Sequence, residues 1–384
     1  MNARNILSFA AAIALSAGAV LGASVVSGTA NVRDFGAKGD GHSDDTAAIL
    51  KAVAATPERG GVVYFPAGQY LSATIPGRSG VMFKGDSGWD YRGTSFGAST
   101  ISPVRDNLSC LFDLKSAVGT RLVGLVLDGK GKGHEMHGVY SKHPGTEQNI
   151  VIDDCKITSF SGSGIRLDNV WVFAIRHSYI VHNKLSGIDG SGSYDGWVLD
   201  NQITGNQRGG IYGTNFATVT ITANRIEWNK VGGIVLGPAG ANTIQIGNCT
   251  FDRNYGPGID ISLAGPKSAS SANVINGNLF RRNGYQRENE PEASAHLCLR
   301  NLKGVCVTGN AFHGDPHRTD AQEGRAPSPI NGMVLEGLVD SVVANNTLFH
   351  AAHKTLILDK GGHQNTVISN NPGSLSAAKP AGKN

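Results

Sequence analysis

Six residues combine the right chemistry with a regular spacing. Tyr140, Lys142, Arg166, Asp168, Asp189 and Tyr212 follow a Gly-apolar pair that recurs at Gly164-Ile165, Gly187-Ile188, Gly210-Ile211, Gly233-Ile234 and Gly258-Ile259. The first three intervals are 23 residues and the fourth is 25. If each pair opens a strand, alternate residues point outward. One outward row then reads Tyr140, Arg166, Asp189, Tyr212, Val235, Asp260, and the row two residues on reads Lys142, Asp168, Ser191, Thr214, Gly237, Ser262. Two carboxylates, two cations and two phenols fall on one face. Arg and Lys suit the carboxylates of sugar acids, and phenol rings suit sugar faces. One chemistry open to such a face is removal of the C5 proton of a uronate. Arg166 and Lys142 would neutralise the carboxylate, and Tyr140, Tyr212 or His143 would act as base. The other is glycoside hydrolysis by Asp168 and Asp189. Strand geometry separates these two by about 8 Å, nearer the inverting range of about 6.5–9.5 Å than the retaining one. A non-catalytic glycan-binding surface is the third reading.

The elements that position these residues follow from the same spacing. A 23-residue unit holds two or three short strands and cannot pack a core alone. It must bury its apolar face on identical neighbours, as a solenoid does. A second apolar element keeps the beat, at Ile175–Ile180, Leu199–Ile203, Ile221–Ile226 and Ile246–Phe251. Period-2 alternation and β-branched residues make the units strands. The expected fold is all-β, a right-handed single-stranded parallel β-helix from about 60 to 372. Its 52 glycines are expected at corners that need φ > 0. Asn201, Asn224, Asn278, Asn310 and Asn346 share one repeat position with Cys155, Ser178 and Cys249. Asn183, Asn206, Asn229, Asn254 and Asn283 share another. Both files are expected to point inward and stack as amide ladders.

Ser43 is a suitable N-cap for an amphipathic helix over 43–55, which would close the N-terminal end of the solenoid. Residues 1–30 combine Arg4 with an apolar, Ala-rich run that lacks acidic residues, followed by small residues. They read as a secretory signal peptide. The expected domains are then a leader over 1–30, a β-helix over 31–372 and a disordered tail over 373–384, in a secreted or periplasmic protein. No later segment is apolar enough to span a bilayer, so no membrane contact is expected once the leader is removed. Cys155 and Cys249 sit four rungs apart, too far for a disulfide. Cys110, Cys298 and Cys306 are unassigned. The net charge of +4 comes without a clustered basic run, which argues against a nucleic-acid partner.

The N-terminal segments VRDFGAKGDGHSDDTAAILKAV, GGVVYFPAGQYL and GVMFKGD carry a resemblance. They are similar to the signature of the pectate-lyase-like right-handed β-helix superfamily, which includes rhamnogalacturonase- and polygalacturonase-type hydrolases, alginate C5-epimerases and pectate lyases. The resemblance implies the fold; with the leader and the charged face, the leading expectation is an exported enzyme with an acidic polysaccharide as substrate. It leaves the reaction open, because one scaffold hosts many chemistries. The Asp pair of polygalacturonase-type hydrolases is missing before the Gly-Ile strands, since Asp153-Asp154 lies in the other strand as a turn pair. The Tyr-Gly-Phe-Asp-Pro-His stretch of alginate epimerases corresponds to Ser163-Gly-Ile-Arg-Leu-Asp168. Arg166 stands there for the Asp and Asp168 for the His. Asp315-Pro-His317 occurs in an inserted loop, and His134-Glu-Met-His137 is one residue short of a zinc helix. No cofactor is expected, although a structural or substrate-bridging Ca2+ stays open. Insertions at Tyr285–Ser294 and His313–Pro329 precede equivalent strands and would wall a cleft on the same face.

Overall fold

The computed structural model describes residues 28–58, 60–90, 97–143, 145–265, 267–285, 289–314 and 328–376. Within them the chain winds as a parallel β-helix with three sheets. Sheet 1 runs from Thr29–Asn31 to Val367–Ser369, sheet 2 from Asp40–Asp44 to Thr347–Phe349, and sheet 3 from Ile75–Pro76 to Thr355–Asp359. Every strand pairs in parallel with the equivalent strand one coil away, for example Arg166 with Asp189 and Asp189 with Tyr212.

The interior consists of apolar columns, one from each sheet. Sheet 3 supplies Ile165, Ile188, Ile211, Ile234 and Ile259, and sheet 2 supplies Ile157, Ile180, Ile203 and Ile226, all fully buried. Sheet 1 supplies Ile152, Val198, Ile221 and Ile246. Further along, Phe251, Phe280 and Phe312 continue the sheet 2 column as stacked rings 4.9 and 4.6 Å apart. Each such side chain contributes roughly 1.5–3 kcal/mol by leaving water. Because each coil buries its column only against neighbouring coils, the stabilisation is spread along the axis.

Both amide ladders are present. Asn201, Asn224 and Asn278 are at most 3% exposed. Asn206 accepts at Oδ1 from the Asn183 backbone N–H (3.1 Å) and from Asn183 Nδ2 (3.0 Å). Its own Nδ2 donates to Ile180 O and to Asn229 Oδ1. Each amide therefore satisfies a corner N–H of one coil and a carbonyl of the core. Cys155 and Cys249 fill their places in the first ladder as buried thiols, and none of the five cysteines is paired.

The beat glycines have a different role from the expected one. Gly164, Gly187, Gly210 and Gly233 do not have positive φ. They face the core. A Cβ on Gly187 would lie 2.7 Å from Ile203 and 2.9 Å from Asn206 Nδ2. Glycine is required there because ladder and column leave no room, not because the backbone turns. The left-handed corners between sheets 1 and 2 are taken mainly by other residues, including Asp154, His177, Asp200, Ala223 and Asn248.

The ends of the fold also shift. The helix α1 spans Thr46–Ala55, not 43–55, because Asp40–Asp44 is already a strand of sheet 2. Ser43 does not cap the helix; its hydroxyl and N–H both go to Asp40. Asp45 stands at the N-cap position, but its carboxylate accepts from Lys38 and Gly39 N–H instead. The solenoid begins before residue 60, since Thr29–Asn31 pairs with the Val62–Tyr64 stretch. Most of the leader, residues 1–27, lies outside the described residues, while Thr29 and Ala30 belong to sheet 1. Of the expected tail, Ser374 and Ser376 bond to the last coil, with Ser376 4% exposed. Residues 377–384 lie outside the described residues.

Candidate active site on the third sheet

All six predicted residues project from the outer face of sheet 3, in the predicted rows. Tyr140 pairs with Arg166 and Lys142 with Asp168 on adjacent strands. Arg166 pairs with Asp189, and Asp189 with Tyr212. The inward partners Val139, Ile165, Ile188 and Ile211 are fully buried, which fixes the outward aim of the row between them.

The patch is packed together and only partly open to solvent. Of the six, Lys142 is exposed and the other five are half-buried. The Tyr140 hydroxyl donates to Asp168 Oδ2 at 3.1 Å. Arg166 Nε lies 3.3–3.4 Å from both Asp168 oxygens, and Arg166 Nη1 lies 3.8 Å from Glu135. The Arg166 guanidinium also sits 5.9 Å from the Tyr140 ring centre, and Lys115 Nζ approaches the ring at 5.0 Å. Burial and the neighbouring Asp168 carboxylate raise the Tyr140 pKa, so its proton is held tightly.

Asp189 has a different environment. Its side chain is 13% exposed and 3.7 Å from Arg208 Nη1. The Ser163 hydroxyl reaches it at 3.5 Å. Burial raises its pKa, and Arg208 and Arg166 only partly offset that. Asp189 is therefore a stronger base than an ordinary carboxylate. Tyr212, the last of the six, has its ring face covered by the Arg208 guanidinium at 3.4 Å. His143 shares a hydrogen bond with Thr146 Oγ1.

Sequence reasoning missed His137, Ser163 and Arg208. His137 Nδ1 accepts the Ser163 N–H at 2.9 Å, and its ring lies 5.9 Å from that of Tyr140. Burial lowers its pKa to about 4, so the imidazole is neutral at pH 7, with its proton on Nε2. These residues precede the Gly-Ile pair. Because Gly and Ile both face inward, the strand alternation is reset there, and Ser163, ahead of Gly164, emerges on the outer face. The His134–His137 segment is not a zinc helix: His137 opens a sheet 3 strand, and the described residues hold no cluster of three or more metal-ligating side chains. Asp153-Asp154 is the end of a sheet 1 strand and a left-handed corner. Asp315-Pro-His317 and most of the second insertion lie outside the described residues. In the first insertion, Glu292 bridges to Lys360 and Arg300, on the outer row of sheet 3.

Comparison with known proteins agrees with this architecture. Residues 132–269 match the family described as right handed beta helix region. The mannuronan C5-epimerase AlgE6 of Azotobacter vinelandii is 30% identical over 190 residues, covering 46% of this chain and 21% of the relative. Its A-module superposes with a TM-score of 0.55 at 17% identity, over 92% of this chain and 100% of that one. Alginate lyase 7 of the same organism is 61% identical over 41 residues, 10% of this chain and 5% of the relative. The lid-less DFA-IIIase of Arthrobacter chlorophenolicus A6 superposes with a TM-score of 0.68 at 14% identity, over 92% of this chain and 100% of that one. The chain thus spans about a fifth of the length of AlgE6. The two superpositions speak to fold alone. Together with the continuous ladders and the three parallel sheets, they identify the chain as a right-handed parallel β-helix protein, with residues 132–269 matching the right-handed β-helix family.

Proposed function

We propose that the chain is an exported polysaccharide-processing enzyme that abstracts the C5 proton of a uronate. The observation that carries the reading is the order Tyr140, Arg166, Asp189 on three consecutive rungs of sheet 3. A cation stands between a tightly protonated phenol and a carboxylate of raised basicity. With the uronate carboxylate against Arg166 and the exposed Lys142, the C5 proton becomes more acidic. Asp189 takes that proton, and the C5–H electron pair moves into the carboxylate as an enediolate that Arg166 and Lys142 neutralise. Tyr140 is the acid. Returning a proton to C5 gives epimerisation. Giving the proton to O4 as the C4–O4 bond breaks gives elimination and a C4=C5 double bond. Asp168 holds the Tyr140 hydroxyl and Arg166 in place. Sequence similarity to a mannuronan C5-epimerase and to an alginate lyase supports mannuronan or a related polyuronate as substrate. The apolar segment over 1–30 supports export.

One observation favours a second reading. The Asp189 pKa is raised while Asp168 accepts from Tyr140 and Arg166, and carboxyls in contrasting environments are how acid and base are told apart in glycoside hydrolysis. Incubation with polymannuronate, alginate and pectate separates the two. New absorbance at 235 nm, or a changed epimer ratio without new ends, supports C5 chemistry. New reducing ends without that absorbance would overturn it in favour of hydrolysis.

A further inference from the structure

A cleft lies on the corner between sheets 1 and 2, off the sheet 3 face. It encloses about 470 Å³ and is lined by Trp89, Asp154, His177, Tyr179, Asp200 and Arg225, among others. Its construction is unusual for a solenoid corner. Asp154, His177 and Asp200 are the left-handed corner residues of three consecutive coils, with φ of 52°, 48° and 51°. Later coils carry Ala223, Asn248, Gly277 and Gly309 at that place. A polar side chain therefore stands at the corner of three of the four coils that line the cleft, the fourth carrying Ala223 there.

An aromatic wall stands beside them. Trp89 comes from the segment after the third sheet 1 strand and lies over Tyr179, ring centres 6.2 Å apart and nearly parallel at 18°. The indole is fixed, because its Nε1 donates to Asp154 O at 3.1 Å. Lys156 ties the same segment down by donating to Asp90 O at 3.0 Å. Trp89 is half-buried, so part of the indole stays accessible. A rigid indole beside a line of hydrogen-bonding side chains suits the apolar face and hydroxyl edge of a sugar ring.

The charges choose among sugars. Arg176 is bound by Asp153 at 2.9 Å, and Arg225 by Glu227 at 2.9 Å. His177 Nδ1 also lies 2.9 Å from Asp153. The exposed Asp200 carboxylate has only a loose contact, 3.9 Å, with His177 Nε2. Asp154 accepts from the neutral Ser87 hydroxyl. Among the described lining residues, His177 and Arg225 are contacted by acids outside the cleft, while the Asp154 and Asp200 carboxylates have no cationic partner closer than 3.9 Å. Such a lining repels a uronate and accepts hydrogen bonds from paired hydroxyls. We propose that this cleft binds a neutral hexose unit of a glycan, independently of the chemistry on sheet 3.

The test is calorimetric titration of the full chain with cellohexaose, mannohexaose and oligomannuronate. A neutral hexasaccharide should bind in the millimolar range or tighter. Trp89→Ala should weaken it about tenfold, the scale of one lost aromatic contact. Asp200→Asn should weaken it severalfold. The latter keeps a residue type that tolerates the left-handed corner, so it decides the matter should Trp89→Ala fail to fold. Arg166→Ala on sheet 3 should leave this binding intact. If neither neutral hexasaccharide binds, the proposal is overturned. Binding that Asp200→Asn does not weaken, or a preference of this cleft for oligomannuronate, would also overturn it.

Discussion

At the scale of single residues, Arg166 is the centre of the patch. Its guanidinium touches Asp168, approaches Glu135 and lies beside the Tyr140 ring. In the proposed reaction it meets charge that develops only as C5 loses its proton. Arg166→Ala should therefore lower turnover on a polyuronate by about 10²-fold, the scale of losing one oxyanion donor. The effect on stability should stay small, because the arginine side chain is 35% exposed and its ion pairs are solvated. Asp260 lies two rungs beyond Tyr212 in the same row and serves as the control. Asp260→Ala should change turnover less than threefold, a difference of about 0.7 kcal/mol. Steady-state rates of both variants check this, and equal losses would spread the site along the whole sheet.

The outward rows were legible from sequence because strand alternation and a fixed repeat decide them together. What surrounds them was less so. Arg208 covers Tyr212, and Ser163 reaches Asp189, from positions ahead of the Gly-Ile pair. Simple alternation misplaces Ser163, since it does not allow for two successive inward residues, and Arg208 lies just before its strand, where alternation does not apply. The degree of burial was hidden for the same reason. Asp189 looked like an exposed carboxylate until its neighbours filled in around it.

At the scale of elements, the ladders and glycines depend on one another. Asn206 makes two ladder bonds with each adjacent amide level and one to a core carbonyl. Asn206→Ala would leave buried N–H and C=O groups without partners. A loss of about 2–4 kcal/mol follows from two orphaned groups at about 1–2 kcal/mol each. Chemical denaturation measures it, and a loss below about 1 kcal/mol would show that water replaces the amide. Sequence position alone identified the ladder, because an amide repeated at a buried place has few other uses. The role of the beat glycines could not be read that way. Their need comes from how closely the ladder and the isoleucine column approach, which only the packed structure shows.

At the scale of the whole molecule, two buried imidazoles among the described residues oppose acid. His296 is fully buried, with its ring near Phe280 and Phe312, and burial pushes its pKa down to about 3. His137 is held down to about 4, also chiefly by burial. Both values lie below the unfolded value of about 6.5. The unfolded chain therefore binds protons that the folded chain refuses. Their stabilising contribution is complete above about pH 6.5 and is lost as the pH falls toward 4 and then 3. The melting temperature should accordingly drop between pH 7 and 4, and His296→Leu should drop less over that window than the parent chain. Parallel curves for the two proteins would remove His296 from the acid response.

The repeat is also what allows a site to be laid down rung by rung. Consecutive coils bring Tyr140, Arg166 and Asp189 about one strand spacing apart, although they are separated in sequence by 26 and 23 residues. The central claim is that this row removes the C5 proton of a uronate. Proton NMR of polymannuronate incubated with the protein in D2O reads that event directly. The account predicts loss of the H5 signal, through deuterium uptake or elimination, and a loss slowed by about 10²-fold in Tyr140→Phe. Full retention of H5 while the polymer shortens would contradict it and leave hydrolysis by Asp168 and Asp189.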